Sequence, residues 1–306
     1  MPRSATHHWQ MKDMNFANKT RGRGLSRLAS IAALVITSSL LNTSGLASQP
    51  PEAGVQEIVD RAIARAEAQE DVVAQFESMM LSIVESLDGK GSVKKEEKAV
   101  YRRYPILGAV YDEMIEKDGR PLTEKELAKE KKQKDKFVRE VEKRTARGEP
   151  PQPEDNERVS LDQEFFSRYR LELIAEETVR GHTCWVVYME PREGTLPVRR
   201  RIDHALNNST GKLWITQDDY GLARVEFEMQ KPFRYWGGLV AMIRNTVGKL
   251  NFEPVEPDLW MPADFIIELD LRIFFKNIRR RITMSWSDYK RVEAAIPATS
   301  SSSSQQ

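Results

Sequence analysis

The side chains best suited to chemistry after position 47 are His182, His204, Cys184 and the pair Asp218-Asp219. Their surroundings decide what each can do. Neither histidine belongs to a cluster of the kind metal sites use, where imidazole, thiolate and carboxylate ligands recur at fixed spacings. His182 follows the turn glycine Gly181 and reads as an exposed strand-edge residue. The two aspartates fall in the hairpin turn QDDYG, where aspartate is favoured by local hydrogen bonds, so paired-carboxylate catalysis is the poorer reading. Cys184 is the only cysteine. Flanked by TCWVVYM, it reads as a small core hydrophobe and not as a nucleophile. No G-x-S-x-G motif, phosphate-binding loop or dinucleotide fingerprint occurs. The expectation is no enzyme: no catalytic residue, no metal ligand and no cofactor.

Without reaction chemistry, the chain must act by what it binds and where it resides. Arg3, Lys12, Lys19, Arg21, Arg23 and Arg27 precede the apolar run LASIAALVITSSLL, which ends in the small-residue site SGLAS. Residues 1 to 47 therefore read as a secretory signal cut near Ala47, with an uncleaved anchor as the alternative. The reading implies a periplasmic protein. The whole chain holds 47 basic and 46 acidic residues, and residues 1 to 47 account for six of the former and one of the latter. The remainder carries about −4, which gives no support for nucleic-acid binding.

Next comes AGVQEIVDRAIARAEA, with Val55, Ile58, Val59, Ala62, Ile63 and Ala66 at helical spacing. A hairpin is expected from Phe76 onward, around the Asp-Gly turn of DGKG, and a second Asp-Gly in EKDGRPL closes LGAVYDEMI. The segment 121–148 opens with proline and the capping box Thr123 to Glu126, and continues as a highly charged helix with a thin stripe of Leu127, Phe137, Val138 and Val141. A solvated helix held by ion pairs is the preferred reading, and a lid the alternative. With the proline-rich linker that follows, it forms an insertion at 121–157.

Strands then return. YRLELIAEETV and HTCWVVYME pair across Arg180-Gly181, and LWIT pairs with LARVEFEMQ, which sets Ala223, Val225, Phe227 and Met229 against Arg224, Glu226 and Glu228. ADFIIELDLRIFF sets Phe265, Ile267, Leu269, Leu271, Ile273 and Phe275 against Glu268, Asp270 and Arg272. NIRRRITMSWSDY sets Ile278, Ile282, Met284 and Trp286 against Arg279, Arg281, Thr283 and Ser285. An antiparallel sheet of such strands twists and curls, so its apolar face needs helices or a ligand to cover it. RYWGGLVAMI, residues 234 to 243, reads either as a hydrophobic rim on a cavity or as a short helix tucked into the core. The lining candidates are Phe227, Met229, Trp236, Phe265, Ile267, Leu269, Leu271, Met284 and Trp286. The triplets 199–201 and 279–281 are arginines that either meet anionic head groups or a membrane surface, or are solvated outer-face charge. The tail, residues 291–306, is low in complexity and expected to be disordered.

The order of amphipathic helix, hairpin, ELIAEETVRGHTCWVVYMEP, GKLWITQDDYGLARVEFEM and closing FKNIRRRITMSWSDYK resembles the LolA-like outer-membrane lipoprotein-sorting proteins, including the RseB-type amino-terminal domain. The resemblance covers residues 53–290. It implies a mainly β fold with helices (α+β): a curved antiparallel sheet forming an unclosed barrel of about ten strands, covered by helices and enclosing a cavity for acyl chains. Two roles follow from it as expectations. One is a periplasmic carrier for lipid or lipoprotein acyl chains. The other is a periplasmic sensor or protein-interaction module, in which the charged helix meets a protein partner.

Overall fold

The computed structural model describes residues 52–152, 159, 161–235 and 241–292. The expected signal segment, Trp236 and residues 293–306 of the expected tail lie outside these residues, whereas Arg291 and Val292 are ordered: Arg291 ends β12 opposite Phe76, and Val292 N donates to the Gln75 carbonyl. Helix α1 (Glu52–Val73) is followed by β1 (Phe76–Leu87), β2 (Val93–Ile106), β3 (Ala109–Lys117), the short β4 (Arg120–Pro121) and α2 (Glu124–Ala146). Then come α3 (Gln163–Phe166), β5 (Tyr169–Val179), β6 (His182–Pro191), α4 (Arg201–Leu206), β7 (Ser209–Thr216) and β8 (Leu222–Met229). The chain closes with β9 (Phe233–Tyr235), β10 (Ala241–Glu256), β11 (Leu259–Ile273) and β12 (Lys276–Arg291). One antiparallel sheet runs in the order β4-β3-β2-β1-β12-β11-β10-β8-β7-β6-β5, with β9 beside β10. Its two ends, β4 and β5, do not pair, so the barrel stays open.

Residues directly opposite each other across antiparallel strands share a face. The register therefore traces one row over nine strands: Leu173, Val187, Leu213, Val225, Leu250, Phe265, Met284, Ser82, Ala99. This row defines the inner face. The next row passes through Met189, Gly211, Phe227, Gly248, Ile267, Ile282 and Val84. Gly211 is required there by close approach, since a Cβ would lie 2.7 Å from both the Glu226 carbonyl oxygen and the Met189 methyl.

Two apolar clusters divide the inner face. In the first, Val55, Val59 and Ile63 of α1 bury against Val187, Leu213, Ile215 and Val225, joined by Phe165 and Phe166 of α3 and Leu206 of α4. In the second, Met80, Val84, Tyr101, Phe265, Ile267, Ile282, Met284 and Trp286 pack together, and every one of them belongs to a strand. Leu250 touches both clusters. On the outer face a smaller cluster holds Cys184, Val186 and Trp214.

Several expectations change. The charged helix is neither free-standing nor a lid over the inner face, because α2 packs on β3 through side chains that face outward. Tyr111 and Glu113 alternate with the inward-facing Met114; Tyr111 Oη donates to Glu130 Oε1 at 2.7 Å, Lys134 Nζ to Glu113 Oε1 at 3.1 Å, and Phe137 meets the Tyr111 ring. Burial and then Glu130 push the Tyr111 phenol well above its ordinary range. The expected capping box of Thr123 and Glu126 is present; of the expected stripe Val141 is buried and Phe137 packs on Tyr111, but Leu127 is exposed, and Glu130 and Arg144 are buried as well. RYWGGLVAMI is no tucked helix at its described ends: Phe233 pairs with Ile243 and Tyr235 with Ala241. Its second half opens β10, a long strand that the sequence reading missed. Ala223 leaves its expected row at a register shift between Trp214 and Ile215, and joins the outer cluster.

Gly211→Ala should destabilise the fold by about 1–3 kcal/mol through overpacking. Gly54→Ala, where an added Cβ meets nothing within 4 Å, should be neutral or slightly stabilising. Urea unfolding of both variants measures the contrast.

Candidate functional site

The second cluster is the candidate site, because among the described residues a largely apolar sheet face is closed there by strand side chains alone. Phe265 and Met284 are 0% exposed. Ile267 and Trp286 are also buried, with Phe227 and Leu269 half-buried against them. Leu271 is half-buried farther along the same face, opposite Ile278 and Ile243. Met229 is buried but pairs with Ser209, outside the cluster. The register thus brings six of the nine sequence candidates into or against one cluster. The described residues fill this region, with Met80, Met114 and Met284 among them. Methionine is unbranched and polarizable, so this part of the core can repack around a guest more readily than one built from branched side chains.

Polar atoms on this face lack partners. Ser82 Oγ and Trp286 Nε1 are buried with no hydrogen bond among the described residues. So is Arg280 Nε. Arg280 is the residue that sequence reasoning missed. Its triplet was treated as one charged patch, yet period-two alternation places Arg280 between Ile278 and Ile282, opposite Leu269 and Ser86. Arg279 and Arg281 point outward and are paired, the first to Asp270 at 3.0 Å and the second to Glu268 at 2.8 Å. Two arginines of the other triplet are committed internally too: Arg200 pairs with Asp203 at 3.1 Å and Arg199 with Glu164 at 3.1 Å.

At the end of the sheet nearest Arg280 lies an open apolar cavity of ≈ 500 Å³, lined by Ile273, Phe274, Phe275, Lys276 and Ile278. Phe275 is 101% exposed. Phe274 adopts φ 51° at the first central position of the β11–β12 turn, a place that glycine ordinarily fills. This end is the mouth of the inner face.

The opposite end is held by hydrogen bonds. Arg65 of α1 binds Asp219 Oδ2 at 2.9 Å and reaches the carbonyls of Asp219 and Asp258, and Gln69 also binds the Asp258 carbonyl. Asp219 accepts further from Gly221 N at 2.9 Å, Trp260 Nε1 at 3.0 Å and the Thr216 hydroxyl. Burial opposes the Asp219 charge, but these donors and Arg65 outweigh it and hold the carboxyl below its ordinary value of 3.8. The aspartate turn therefore does structural work, joining α1 to two hairpin turns. His182 is not at a sheet edge, since β6 lies between β5 and β7; its Nδ1 sits 3.0 Å from Asp218 Oδ2 and its ring packs on Trp260. Cys184 is buried, and burial pushes its thiol up to about 11. No group of three or more metal-ligating side chains occurs among the described residues. None of their helices is long and apolar enough to cross a membrane.

No family model and no curated protein matches the chain. Solved structures do. Its structural neighbours are LolA-like. One is an outer membrane lipoprotein-sorting protein domain from Vibrio parahaemolyticus, with 11% identity over 80% of this chain and 95% of that one and a TM-score of 0.32. A LolA superfamily protein from Nitrosomonas europaea has 12% identity, coverage of 80% and 94%, and a TM-score of 0.28. The MucA/MucB complex of Pseudomonas aeruginosa has 11% identity, coverage of 76% and 99%, and a TM-score of 0.22. At such scores the functional reading rests on this chain's own residues.

Asp219→Asn should loosen α1. Because the folded pKa lies below 3.8, the stability from this carboxylate is complete above that value and is lost as pH falls through the folded pKa. The variant should be less stable than wild type by about 1–3 kcal/mol at neutral pH, with the gap closing in acid; urea unfolding at both pH values checks it. Cys184 should resist maleimide in the folded protein and react fully in urea, as mass spectrometry would record.

Proposed function

We propose that this protein is a periplasmic carrier that shelters an acyl chain, of a lipid or of an acylated protein, against the inner face of its open barrel. Two observations support the reading: an apolar cluster that, among the described residues, is built from strand side chains and is rich in methionine, and an open apolar cavity at one end of the same sheet face. The first cluster, by contrast, is covered by residues of α1, α3 and α4. Burial of a chain contributes about 0.8 kcal/mol per CH₂, enough for reversible retention of a single chain. Phe227, Phe265, Ile267, Leu269, Leu271, Met284 and Trp286 are proposed to line the path, with residues 53–290 as the working unit. The signal-like segment 1–47 supports export.

A second reading, as a protein-interaction module, is favoured by one feature of α2. Lys125, Lys129, Lys132, Lys136, Arg139 and Lys143 recur at alternating spacings of four and three, all exposed and none with a bonded partner among the described residues. They form a straight cationic stripe roughly 27 Å long at 1.5 Å per residue, suited to an acidic protein segment. It lies away from the inner face, so the two readings separate cleanly.

Leu271→Asp, at a half-buried position near the mouth, should reduce binding of a fluorescent fatty acid about tenfold or more and lower the thermal midpoint somewhat, with the folded circular dichroism spectrum retained. Replacing Lys129, Lys132, Lys136 and Arg139 by glutamate should leave that binding intact. If the stripe variant loses fatty acid while Leu271→Asp keeps it, the assignment of sites is wrong.

A further inference from the structure

We infer that Arg280 is an anion-binding residue set within the apolar path, so that the passenger is an amphiphile with an anionic head, held head toward the mouth and tail toward Trp286. The inference deepens the carrier reading and rests on it.

Three observations meet at this residue. First, its place is fixed by register. Between Lys276 and Ser285 the pairing of β12 with β11 runs without a shift, and β1 carries the register on to Trp286, so Ile278, Arg280, Ile282, Met284 and Trp286 share the inner face. Second, its charge is unanswered. Arg280 has no ion pair or hydrogen bond among the described residues, its Nε is buried, and its cross-strand neighbours are Leu269 and Ser86. The nearby acids are engaged elsewhere: Glu268, Glu85 and Asp270 bind Arg281 and Arg279 on the outer face, and Glu97, on the inner face, binds Lys95. Arg280 is half-buried, and leaving its Nε buried without a partner is costly. An alkyl residue there would fill the same space at no such cost.

Third, Arg280 stands at a boundary. On one side Ile278 lines the open cavity; on the other Ile282 and Met284 begin the buried cluster. A chain entering from the mouth would draw its carboxylate or phosphate to the planar fork of Arg280, which suits both groups. Its methylenes would then run along Ile282, Met284 and Phe265. Farther in, Ser82 Oγ and Trp286 Nε1 remain as buried donors without acceptors.

Isothermal titration with dodecanoate, dodecyl phosphate and the neutral dodecanol tests this on the purified chain. Wild type should bind the two anions about tenfold or more tightly than the alcohol. Arg280→Met should abolish that preference while keeping the affinity for dodecanol, and Arg280→Lys should retain part of it. The ligand-free Arg280→Met protein should also unfold at a higher temperature than wild type, because an unpaired charge leaves the apolar face. Dodecanol bound as tightly as the anions by wild type, or an anion preference that survives in Arg280→Met, overturns the inference and leaves the carrier reading standing. Failure of wild type to bind any of the three overturns both.

Discussion

The rest of the structure depends on a two-residue period that stays in register along the central rows of the sheet, from Leu173 to Ala99. Once Phe265 faces Leu250 on one side and Met284 on the other, the orientation of every neighbour on those strands follows, and a slip of one residue would turn the apolar row outward. The open edges of the sheet leave curvature free to adjust. Gly211 and Gly248 stand in the row beside Phe227 and Ile267, where a side chain at Gly211 would strike the Glu226 backbone and the Met189 methyl. The inner face thus owes its shape as much to missing side chains as to large ones.

The two ends of that face differ in chemistry, and the difference gives it a direction. At one end Asp219 gathers Arg65, Trp260, Thr216 and Gly221 into a network that fixes α1 to the turns beneath it. At the other, the β11–β12 turn leaves Phe274 half exposed and Phe275 fully exposed beside an open cavity. Helix α2 is excluded from this contest because its buried residues meet the outer side of β3. What remains on the inner side is the strand-only cluster, whose methionines are the most deformable part of the core.

Much of this was legible in the sequence wherever one signal dominated. Asp-Gly and Arg-Gly turns bounded the hairpins, Thr123 and Glu126 marked the start of α2, and Val55, Val59 and Ile63 marked the buried side of α1. Strand β10 escaped because its alternation is broken by Gly248, Pro254 and three register shifts against β11, so its order comes from two neighbouring strands and not from its own pattern. The packing of α2 escaped because polar contacts share the work with apolar ones: Glu130 and Lys134 hold it down beside Phe137 and Val141, while Leu127 stays in water. Arg280 escaped for the opposite reason. Three consecutive arginines look like one patch by composition, and only counting by twos separates the middle one from its neighbours.

The most direct test of a chain-sized path beneath the strands is quenching of tryptophan fluorescence by dodecanoate brominated near its methyl end, compared between wild type and Trp286→Phe. Bromine quenches only at close range. Binding should extinguish a component of the emission that is absent from the variant, whereas saturating binding that leaves the Trp286 contribution untouched would contradict the account.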